Sequence, residues 1–236
     1  MIEVRGITKK YGKRVILHDV SFSAKQGECV AIAGANGSGK STLLKILAGT
    51  LKAGGGSFVA FGHDMLKETT ERERLIGYVP QENPLIAELT ARDNLRLWYA
   101  NSRYDINQEL ERGTLAMLGI PEFIDVRVDA MSGGMKKRLS IGCAVANDPP
   151  VLILDEPDAA LDLICKEAIR DYLAEHKRRG GIVIITTHDE EELSLADRIL
   201  VMQEGRLREV DNRLRGSGLL AELKKGLPSE NGTQAG

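Results

Sequence analysis

The sequence predicts an α/β fold in which a block of helices interrupts a mainly parallel sheet. Three short apolar segments in the second half alternate with amphipathic helical segments, a pattern typical of a buried parallel sheet: VLILD, IVIITT and RILVMQ. From about Leu89 to the segment that follows Ser132, only helical patterns occur. We therefore expect an α/β core with an inserted helical block.

The first half predicts strands on both sides of one short helix. Strand patterns cover IEVRGITKKYG, VILHDVSFSAKQG, ECVAIAG, GSFVAFG and IGYVP, and KSTLLKILAG is a helix that ends at Gly49. In the inserted block, Thr90 and Asp93 have capping-box spacing at the start of a helix, and NQELERGTLAMLG is amphipathic. The strands of the second half are separated by the helical segments LDLICKEAIRDYLAEHKRR and DEEELSLADR.

The composition is that of a globular protein with a sizeable core, and it argues against a nucleic-acid partner. The chain has 236 residues, of which 42% are hydrophobic and 28% charged. Its formal net charge is -2, so no global positive field attracts a polyanion. Aromatic residues make up 4%, too few for base stacking. Since its apolar runs are short, we expect that the chain does not cross a membrane by itself.

The cysteines are expected to be buried apolar residues. Cys29, Cys143 and Cys165 each lie in an apolar segment, and their spacing is not that of a redox or metal site. Free thiols fit a reducing cytosol. The three glutamates at 190–192 resemble a metal cluster, but at the start of a helix we interpret them as surface acids that the dipole favours.

The strongest motif is GANGSGKST, residues 34–42, between a predicted strand and a predicted helix. It matches G-x-x-x-x-G-K-[ST], in which glycines let backbone N–H groups surround phosphate oxygens. Lys40 would reach the β- and γ-phosphates of a nucleotide, and Ser41 would bind Mg²⁺. The alternative is a Gly-rich turn that binds nothing, but the flanking strand and helix are the context that the motif requires. The predicted binding residues are Gly34, Asn36, Gly37, Ser38, Gly39, Lys40, Ser41 and Thr42.

A second motif places two carboxylates at the end of a buried strand. In VLILDEP, residues 151–157, Asp155 and Glu156 lie at the carboxyl end of the strand, where open α/β sheets bind ligands. Asp155 is suited to hold Mg²⁺, directly or through water, and Glu156 can polarise an attacking water. The alternative is a solvated acidic turn, which the phosphate-binding motif in the same chain disfavours.

The segment DAMSGGMKKRLSIG, residues 129–142, predicts a helix with an unfavourable start. Ser132 is a good N-cap, but Gly133 and Gly134 follow it, where a stable helix prefers other residues. Three cations at 136–138 occupy the first turns, where the helix dipole favours anions. We interpret this start as a place where an anion docks; the alternative is an ill-formed helix start in a flexible loop.

These motifs, in this order, resemble the nucleotide-binding domains of ABC (ATP-binding cassette) proteins over nearly the whole chain, from about Ile2 to Val210. The SGG at 132–134 matches the signature that defines the family. Tyr11 matches the aromatic that stacks on adenine, and Gln81 matches the glutamine that senses Mg²⁺ and γ-phosphate. Asp162, within Ala160-Leu161-Asp162, matches the dimer-facing loop, and His188 matches the switch histidine.

The resemblance implies a P-loop NTPase core with an antiparallel β subdomain and a helical subdomain. It also implies two chains packed head to tail, with each ATP between one P-loop and the partner's signature helix. The anion at Ser132 would then be the partner's γ-phosphate, bound at a helix N-terminus. Glu156 and His188 would be the catalytic residues. The implied Mg²⁺ ligands are Ser41, Gln81 and Asp155.

Two places depart from the family's pattern. The signature usually continues with Gln, and here Met135 would cost a polar contact at the edge of the nucleotide site but not the backbone N–H cradle. Asp158 and Ala159 stand where the family often has Thr and Ser, which puts the fine tuning of the dimer loop in doubt. Because the P-loop lysine, both carboxylates and the histidine are present, both sites of a homodimer should be hydrolytic.

The implied function is that of the ATP-hydrolysing subunit of an ABC transporter, on the cytoplasmic face of the cell membrane. It would form a homodimer, or a heterodimer with another such subunit, and drive a separately encoded permease. LTARDNL and the compact size most resemble ATPases of small-permease exporters. The alternative is a soluble ABC-type ATPase that acts on a ribosome or DNA, but such proteins usually carry two cassettes or a long coiled coil. A regulator that binds nucleotide without hydrolysing it is disfavoured, because the catalytic residues Glu156 and His188 are both present.

The predicted organisation is one ABC ATPase domain with a helical insertion and a short tail. The tail PSENGTQAG has no apolar periodicity, so we expect it to be disordered. Near Gln81, the apolar trio Pro84, Leu85 and Ile86 would either dock the permease or pack against the chain's own helical lobe. The predicted boundaries are 1–227 for the domain, about 1–84 and 146–227 for the core, about 85–145 for the helical subdomain and 228–236 for the tail.

Overall fold

Most strands of the computed structural model lie where the apolar and alternating segments predict them, but those at His63–Asp64 and Arg206–Val210 were not predicted. The structure describes residues 1–157, 161–187 and 190–225. The predicted tail, Asp158, Ala159 and His188 lie outside these ranges. The strands are β1 (Ile2–Tyr11), β2 (Arg14–Ala24), β3 (Cys29–Ala33), β4 (Gly55–Ala60), β5 (His63–Asp64), β6 (Ile76–Val79), β7 (Val151–Asp155), β8 (Ile182–Thr186), β9 (Arg198–Gln203) and β10 (Arg206–Val210).

The central sheet has the strand order β10-β9-β3-β8-β7-β6. Its neighbouring strands are parallel except for β10, which pairs antiparallel with β9. Every residue of β3, β7 and β8 is buried, as expected for continuous apolar strands that are covered on both faces. The prediction of a mainly parallel sheet is confirmed.

A second sheet is antiparallel, with the order β2-β1-β4-β5. Side chains alternate between buried and exposed in parts of β1 and β2, because one face of this sheet packs on the core. The short loop between β1 and β2 brings Tyr11 opposite Arg14. This sheet is the antiparallel subdomain that the family resemblance implies.

The helices are α1 (Lys40–Leu47), α2 (Thr69–Leu75), α3 (Ala91–Tyr99), α4 (Ile106–Arg112), α5 (Thr114–Met117), α6 (Gly133–Ala144), α7 (Leu163–Arg178), α8 (Glu190–Leu195) and α9 (Gly216–Lys224). Short 3₁₀ turns cover Ile120–Phe123 and Val128–Ala130. The predicted cap at α3 is confirmed, since Thr90 Oγ1 accepts a hydrogen bond from the Asp93 N–H at 3.1 Å. The amphipathic segment NQELERGTLAMLG forms two helices, α4 and α5. The chain is extended at Gly113, and the Glu109 carboxylate caps the second helix by accepting from the Thr114 N–H at 2.7 Å.

Two apolar layers cover the two faces of the central sheet. One layer joins the sheet to the helical block and α7, with Leu95, Leu139 and Ile169 among its buried residues. The other joins the sheet to α1 and the antiparallel sheet, with Leu43 and Phe58 among its buried residues. Helices α3 to α6 form the predicted helical block, while the division of the chain at 85 and 145 stays a prediction.

The cysteines are buried, as the sequence predicts: Cys29, Cys143 and Cys165. Burial raises the pKa of the Cys143 thiol to about 12, which leaves it a neutral apolar group. Among the described residues, no helix combines the length and the apolar character that a bilayer crossing requires.

Candidate functional site

The loop between β3 and α1 has the backbone shape that the phosphate-binding motif requires. Gly39, which directly precedes α1, has φ of 114°, a conformation that L side chains rarely adopt. A Cβ atom at Gly39 would also lie 2.9 Å from Leu17 Cδ2. The loop is tied down through Ser38, whose N–H donates to Ala35 O at 3.1 Å and whose carbonyl accepts from the Gly205 N–H at 3.0 Å.

Lys40, the first residue of α1, is buried within this loop. Its side chain is held by backbone carbonyls, since Nζ donates to Gly34 O at 2.6 Å and to Ala35 O at 3.3 Å. Burial lowers the pKa of the Lys40 ammonium, and the carboxylates of Glu156 and Asp155 oppose this shift. A phosphate in the loop would give the ammonium a stronger, charge-assisted partner than two neutral carbonyls.

One threonine of β8 contacts both acidic residues at the end of β7, through the side chain of Asp155 and the backbone of Glu156. The Thr186 hydroxyl donates to Asp155 Oδ1 at 2.6 Å, and Asp155 is 1% exposed. The Glu156 N–H donates to Thr186 Oγ1 at 3.0 Å and to Thr186 O at 3.1 Å. Glu156 has φ of 48°, a strained conformation for a residue other than glycine, and strain of this kind is typical of functional sites.

Gln81 and Glu156 meet across the entrance of the site. Gln81 lies just after β6, and its Nε2 donates to Glu156 Oε2 at 3.0 Å. A cleft of about 450 Å³ extends from this contact to the P-loop. It is lined by Tyr11, Arg14, Ile16, Asn36, Gly37, Gly39, Lys40, Ser41, Thr42, Gln81 and Glu156. The structure therefore brings most of the predicted ATP-binding residues together; Gly34 accepts from Lys40 beneath the cleft, and Ser38 lines the hollow beside it.

The oxygen ligands predicted for Mg²⁺ share a second hollow next to this cleft. Ser41, Gln81 and Asp155 all line it, and each can offer an oxygen atom of the kind that Mg²⁺ prefers. No group of three or more histidine, cysteine, aspartate or glutamate residues suited to a metal is found in the part of the chain that the structure describes. The residues thus fit Mg²⁺ as proteins usually hold it in nucleotide sites, through one carboxylate together with substrate phosphates.

The outer wall of the cleft comes from the hairpin between β1 and β2. Tyr11 is 52% exposed, so its ring is accessible for stacking. Lys9 Nζ lies 5.2 Å from the centre of the same ring. Arg14, the strand partner of Tyr11, also lines the cleft, and our sequence reasoning missed it. The signal available was its position opposite Tyr11 in a tight hairpin.

The two glycines at the start of α6 have different structural roles. Ser132 is the N-cap, and its Oγ accepts from the Met135 N–H at 3.2 Å. A Cβ atom at Gly134 would lie 2.3 Å from Cys165 Sγ, so this glycine is required by packing against α7. Within the described part of the chain, a Cβ atom at Gly133 would meet nothing within 4 Å. The packing of this chain therefore explains Gly134 and leaves Gly133 open to a group from outside.

Two of the three cations that follow are buried in contacts with their own chain, while the anion expected at the start of α6 stays a prediction. Lys137 and Arg138 are buried. Lys137 Nζ donates to two backbone carbonyls, and Arg138 NH1 donates to Leu118 O at 3.1 Å. The Arg138 guanidinium also lies 4.9 Å from the centre of the Phe123 ring. Arg138 thus joins two parts of the helical block, and Lys137 joins α6 to the loop after β6.

Asp162 lies beside the start of α6 on the same chain. It is the N-cap of α7 and accepts from the Cys165 N–H at 2.8 Å, which together with the thiol lowers the pKa of its carboxyl. A Cβ atom on Gly134 would lie 3.6 Å from Asp162 Oδ2. The signature residues and Asp162 are thus neighbours, but they do not line the cleft that contains the P-loop. His188 lies outside the described residues.

Three comparisons place this geometry among known proteins. The sequence model of a family described as "ABC transporter" matches residues 17–159. The chain is 36% identical over 214 residues to the spermidine/putrescine import ATP-binding protein PotA of Spiroplasma citri, covering 89% of this chain and 61% of the relative. It is 36% identical over 211 residues to the Nod factor export ATP-binding protein I of Burkholderia orbicola, covering 87% and 68%.

Structural comparison gives the same grouping. A dimeric ATP-binding cassette in a post-hydrolysis state, bound to ADP and Pi, superimposes with a TM-score of 0.81 and 30% sequence identity. The match covers 91% of this chain and 100% of that chain. Because the family model matches more than half of the sequence and the fold is shared over nearly its full length, the chain belongs to the ABC transporter family and is one of its ATP-binding cassettes.

Proposed function

We propose that this chain binds ATP with Mg²⁺ and hydrolyses it as the ATP-binding subunit of an ABC transporter. The observation that carries the proposal is the cleft in which the Lys40 ammonium, the Glu156 carboxylate and the Gln81 amide converge. A relative named for import and another named for export have equal identity to the chain, so the shared activity is the nucleotide-driven step. The preference for an exporter stays a prediction.

Each polar residue of the cleft has a distinct role in the proposed reaction. The backbone of residues 34–39 and the Lys40 ammonium would bind the phosphates, and Tyr11 would stack on the adenine. Mg²⁺, held by Ser41 and Asp155, would neutralise charge on the phosphates. Glu156 would accept the proton of the attacking water, with Gln81 holding its carboxylate in place. The γ-phosphate contact of His188 stays a prediction.

The proposed active form is a head-to-tail dimer. The relative bound to ADP and Pi is dimeric. In this chain Gly133 and the N-terminus of α6 do not line the P-loop cleft. A nucleotide bound in that cleft would therefore not place its phosphate at the start of α6 of the same chain. A second copy, or another subunit of this kind, would supply the phosphate. Each ATP would then be enclosed by two chains.

An apolar groove of about 680 Å³ beside the site is the proposed docking place for a membrane permease. Trp98, which is 47% exposed, lines it together with Pro84. Of the predicted apolar trio, Ile86 is also exposed, whereas Leu85 packs against the helical block. Packing against the helical block therefore accounts for Leu85, and docking stays a proposal that rests on Pro84 and Trp98. Through this groove the chain would be held at the cytoplasmic face of the membrane.

The proposal is tested by ATP hydrolysis of the purified chain with Mg²⁺. The rate should rise faster than linearly with protein concentration, because each complete site needs two chains. Lys40→Ala should abolish ATP binding, since it removes the charge-assisted phosphate contact. Glu156→Gln should keep ATP binding and slow hydrolysis on the order of 10²-fold or more, because the amide cannot accept the proton.

Two results would contradict this proposal. Turnover strictly proportional to protein concentration, with monomer alone detected in ATP, would exclude the dimer. Hydrolysis by Glu156→Gln at the parent rate would remove Glu156 from the mechanism. For the docking groove, a permease should co-purify with the parent from solubilised membranes and be lost from Trp98→Asp, while the hydrolysis rate of the isolated chain stays the same.

A further inference from the structure

Lys137 is a buried cation that faces its own chain. It lies on α6 and is 4% exposed. Its Nζ donates to Pro80 O and to Gln81 O, each at 3.0 Å. Because desolvation of an ammonium group is costly, these acceptors are needed for the side chain to be buried. The contact therefore fixes the backbone at Gln81 to α6.

Two side chains of the helical block hold the loop that follows β6. Lys137 holds the start of the loop, and Asn94 of α3 holds its later part. Asn94 Oδ1 accepts from the Ile86 N–H at 2.9 Å, and Asn94 Nδ2 donates to Ile86 O at 3.1 Å. The Gln81 side chain, in contrast, reaches the α/β core at Glu156. A displacement of the helical block would thus move Gln81 relative to Glu156.

We infer that Lys137 is a positioning residue, which places Gln81 against Glu156 and links this contact to the N-terminus of α6. The inference rests on the proposed function, in which Glu156 serves the site of its own chain and Gly133 serves the site of the partner. The link is direct, because a single helix joins the Lys137 side chain to Gly133. A shift of Gln81 on nucleotide binding in one site would therefore act, through Lys137, on the helix that completes the other site.

The test compares Lys137→Met with Lys137→Arg and with the matched control Lys136→Met. Methionine keeps the length of the side chain but cannot donate to the carbonyls, whereas arginine can. Lys136 is on the same helix and makes no side-chain hydrogen bond or ion pair within the described residues. Lys137→Met should lower kcat about tenfold with unchanged ATP affinity, and Lys137→Arg should recover most of this loss. Lys136→Met should match the parent.

A double-mutant cycle shows whether Lys137 acts through Gln81. In a Gln81→Ala background, Lys137→Met should have little further effect on kcat, because the side chain that Lys137 positions is already gone. If the two substitutions instead lower kcat independently, the inference is overturned. It is also overturned if Lys137→Met lowers the melting temperature while its folded fraction turns over at the parent rate.

A measurement on the nucleotide-free chain is independent of ATPase activity. Hydrogen–deuterium exchange of the peptide over residues 80–89 should be faster in Lys137→Met than in Lys136→Met and the parent. Equal exchange in all three overturns the inference even if the chain hydrolyses ATP. If exchange differs among the three proteins as expected but the parent has no ATPase activity, the proposed function is contradicted and the inference about Lys137 is not. Lys137→Gln, which keeps one amide donor, serves in the same comparisons if Lys137→Met does not fold.

Discussion

At the scale of single residues, His176 is a buried histidine with no hydrogen-bond partner at one ring nitrogen within the described residues. It is 3% exposed, and that nitrogen is Nε2. Gly181 leaves room for the ring, since a Cβ atom there would lie 2.1 Å from Nε2. Burial lowers the pKa of His176 to about 4, with Arg179 adding to this shift and Asp148 opposing it. The imidazole is therefore neutral in the folded chain at neutral pH.

This burial predicts that the chain becomes less stable as the pH falls. Between an unfolded pKa of about 6.5 and the folded value of about 4, the unfolded chain takes up a proton that the folded chain does not. Stability from this group is complete above the unfolded pKa and is lost as the pH falls towards the folded pKa. Between pH 7.5 and 5.5 the loss should be on the order of 1 kcal/mol.

Urea unfolding of the parent and His176→Leu at these two pH values checks the prediction. The variant has no imidazole, so its free energy of unfolding should fall less than that of the parent over this interval, by on the order of 1 kcal/mol. Leucine is apolar and suits a site where Nε2 is unpaired, so the variant should fold. An identical pH dependence in the two proteins would show that His176 titrates normally.

At the scale of elements, the junction of α6 and α7 makes the two signature glycines unequal. Gly134→Ala should destabilise the chain by about 1–3 kcal/mol, because the new methyl group would overlap Cys165 Sγ. Gly133→Ala should leave stability unchanged or raise it by up to about 1 kcal/mol, since it has open space and alanine is the better helix former. Thermal unfolding of the two variants measures the contrast.

A compensating substitution separates this packing from other effects. Cys165→Ala removes the sulfur atom that lies closest to Gly134, so adding it to Gly134→Ala should restore part of the lost stability. If the two glycine variants have equal stability, α6 and α7 are not in the close contact described here.

The elements predicted from the sequence are those that local signals determine. The buried strands β3, β7 and β8 are continuous apolar runs, and the helix starts at Thr90 and Asp162 carry side chains that cap the backbone. The break at Gly113 and the helices α2 and α9 were missed. Their sequences carry weak apolar periodicity, and tertiary contacts such as that of Arg208 with Glu222 hold α9 in place.

Within the site, the sequence determined the P-loop and the carboxylates but not the groups that orient them. Lys40 and Glu156 lie in motifs whose residue types and spacing are tied to phosphate chemistry. Thr186 and Lys137 act through contacts with residues distant in the sequence, at Asp155 and at Gln81. Neither contact leaves a local pattern. The burial of Lys137 likewise depends on where α6 packs.

At the scale of the whole molecule, the chain presents two half-sites that do not meet within one copy. The P-loop cleft is one of them, and the start of α6 beside Asp162 is the other. Gly133 is the best place to separate their roles, because a Cβ atom there has no neighbour within 4 Å among the described residues. Gly133→Asp should even suit the isolated helix, since the positive end of the helix dipole favours a carboxylate.

The same carboxylate should prevent assembly around ATP. It would face the partner's γ-phosphate in a dry interface, where like charges in contact cost on the order of several kcal/mol. The monomer of Gly133→Asp should therefore bind ATP as the parent does, but it should neither dimerise nor hydrolyse ATP. Lys40→Ala has the opposite defect, with an intact α6 start and a defective P-loop.

Mixing the two inactive variants should restore part of the lost function. In a heterodimer, the intact P-loop of the Gly133→Asp chain faces the intact α6 start of the Lys40→Ala chain, so one of the two sites is complete. ATP-dependent pairing should reappear in size-exclusion chromatography, together with hydrolysis at up to about half of the parent rate, as one site of two would give. If Gly133→Asp instead abolishes ATP binding by its own monomer, the anion at α6 belongs to the same chain. The two half-sites would then act in one copy, and the head-to-tail arrangement would be wrong.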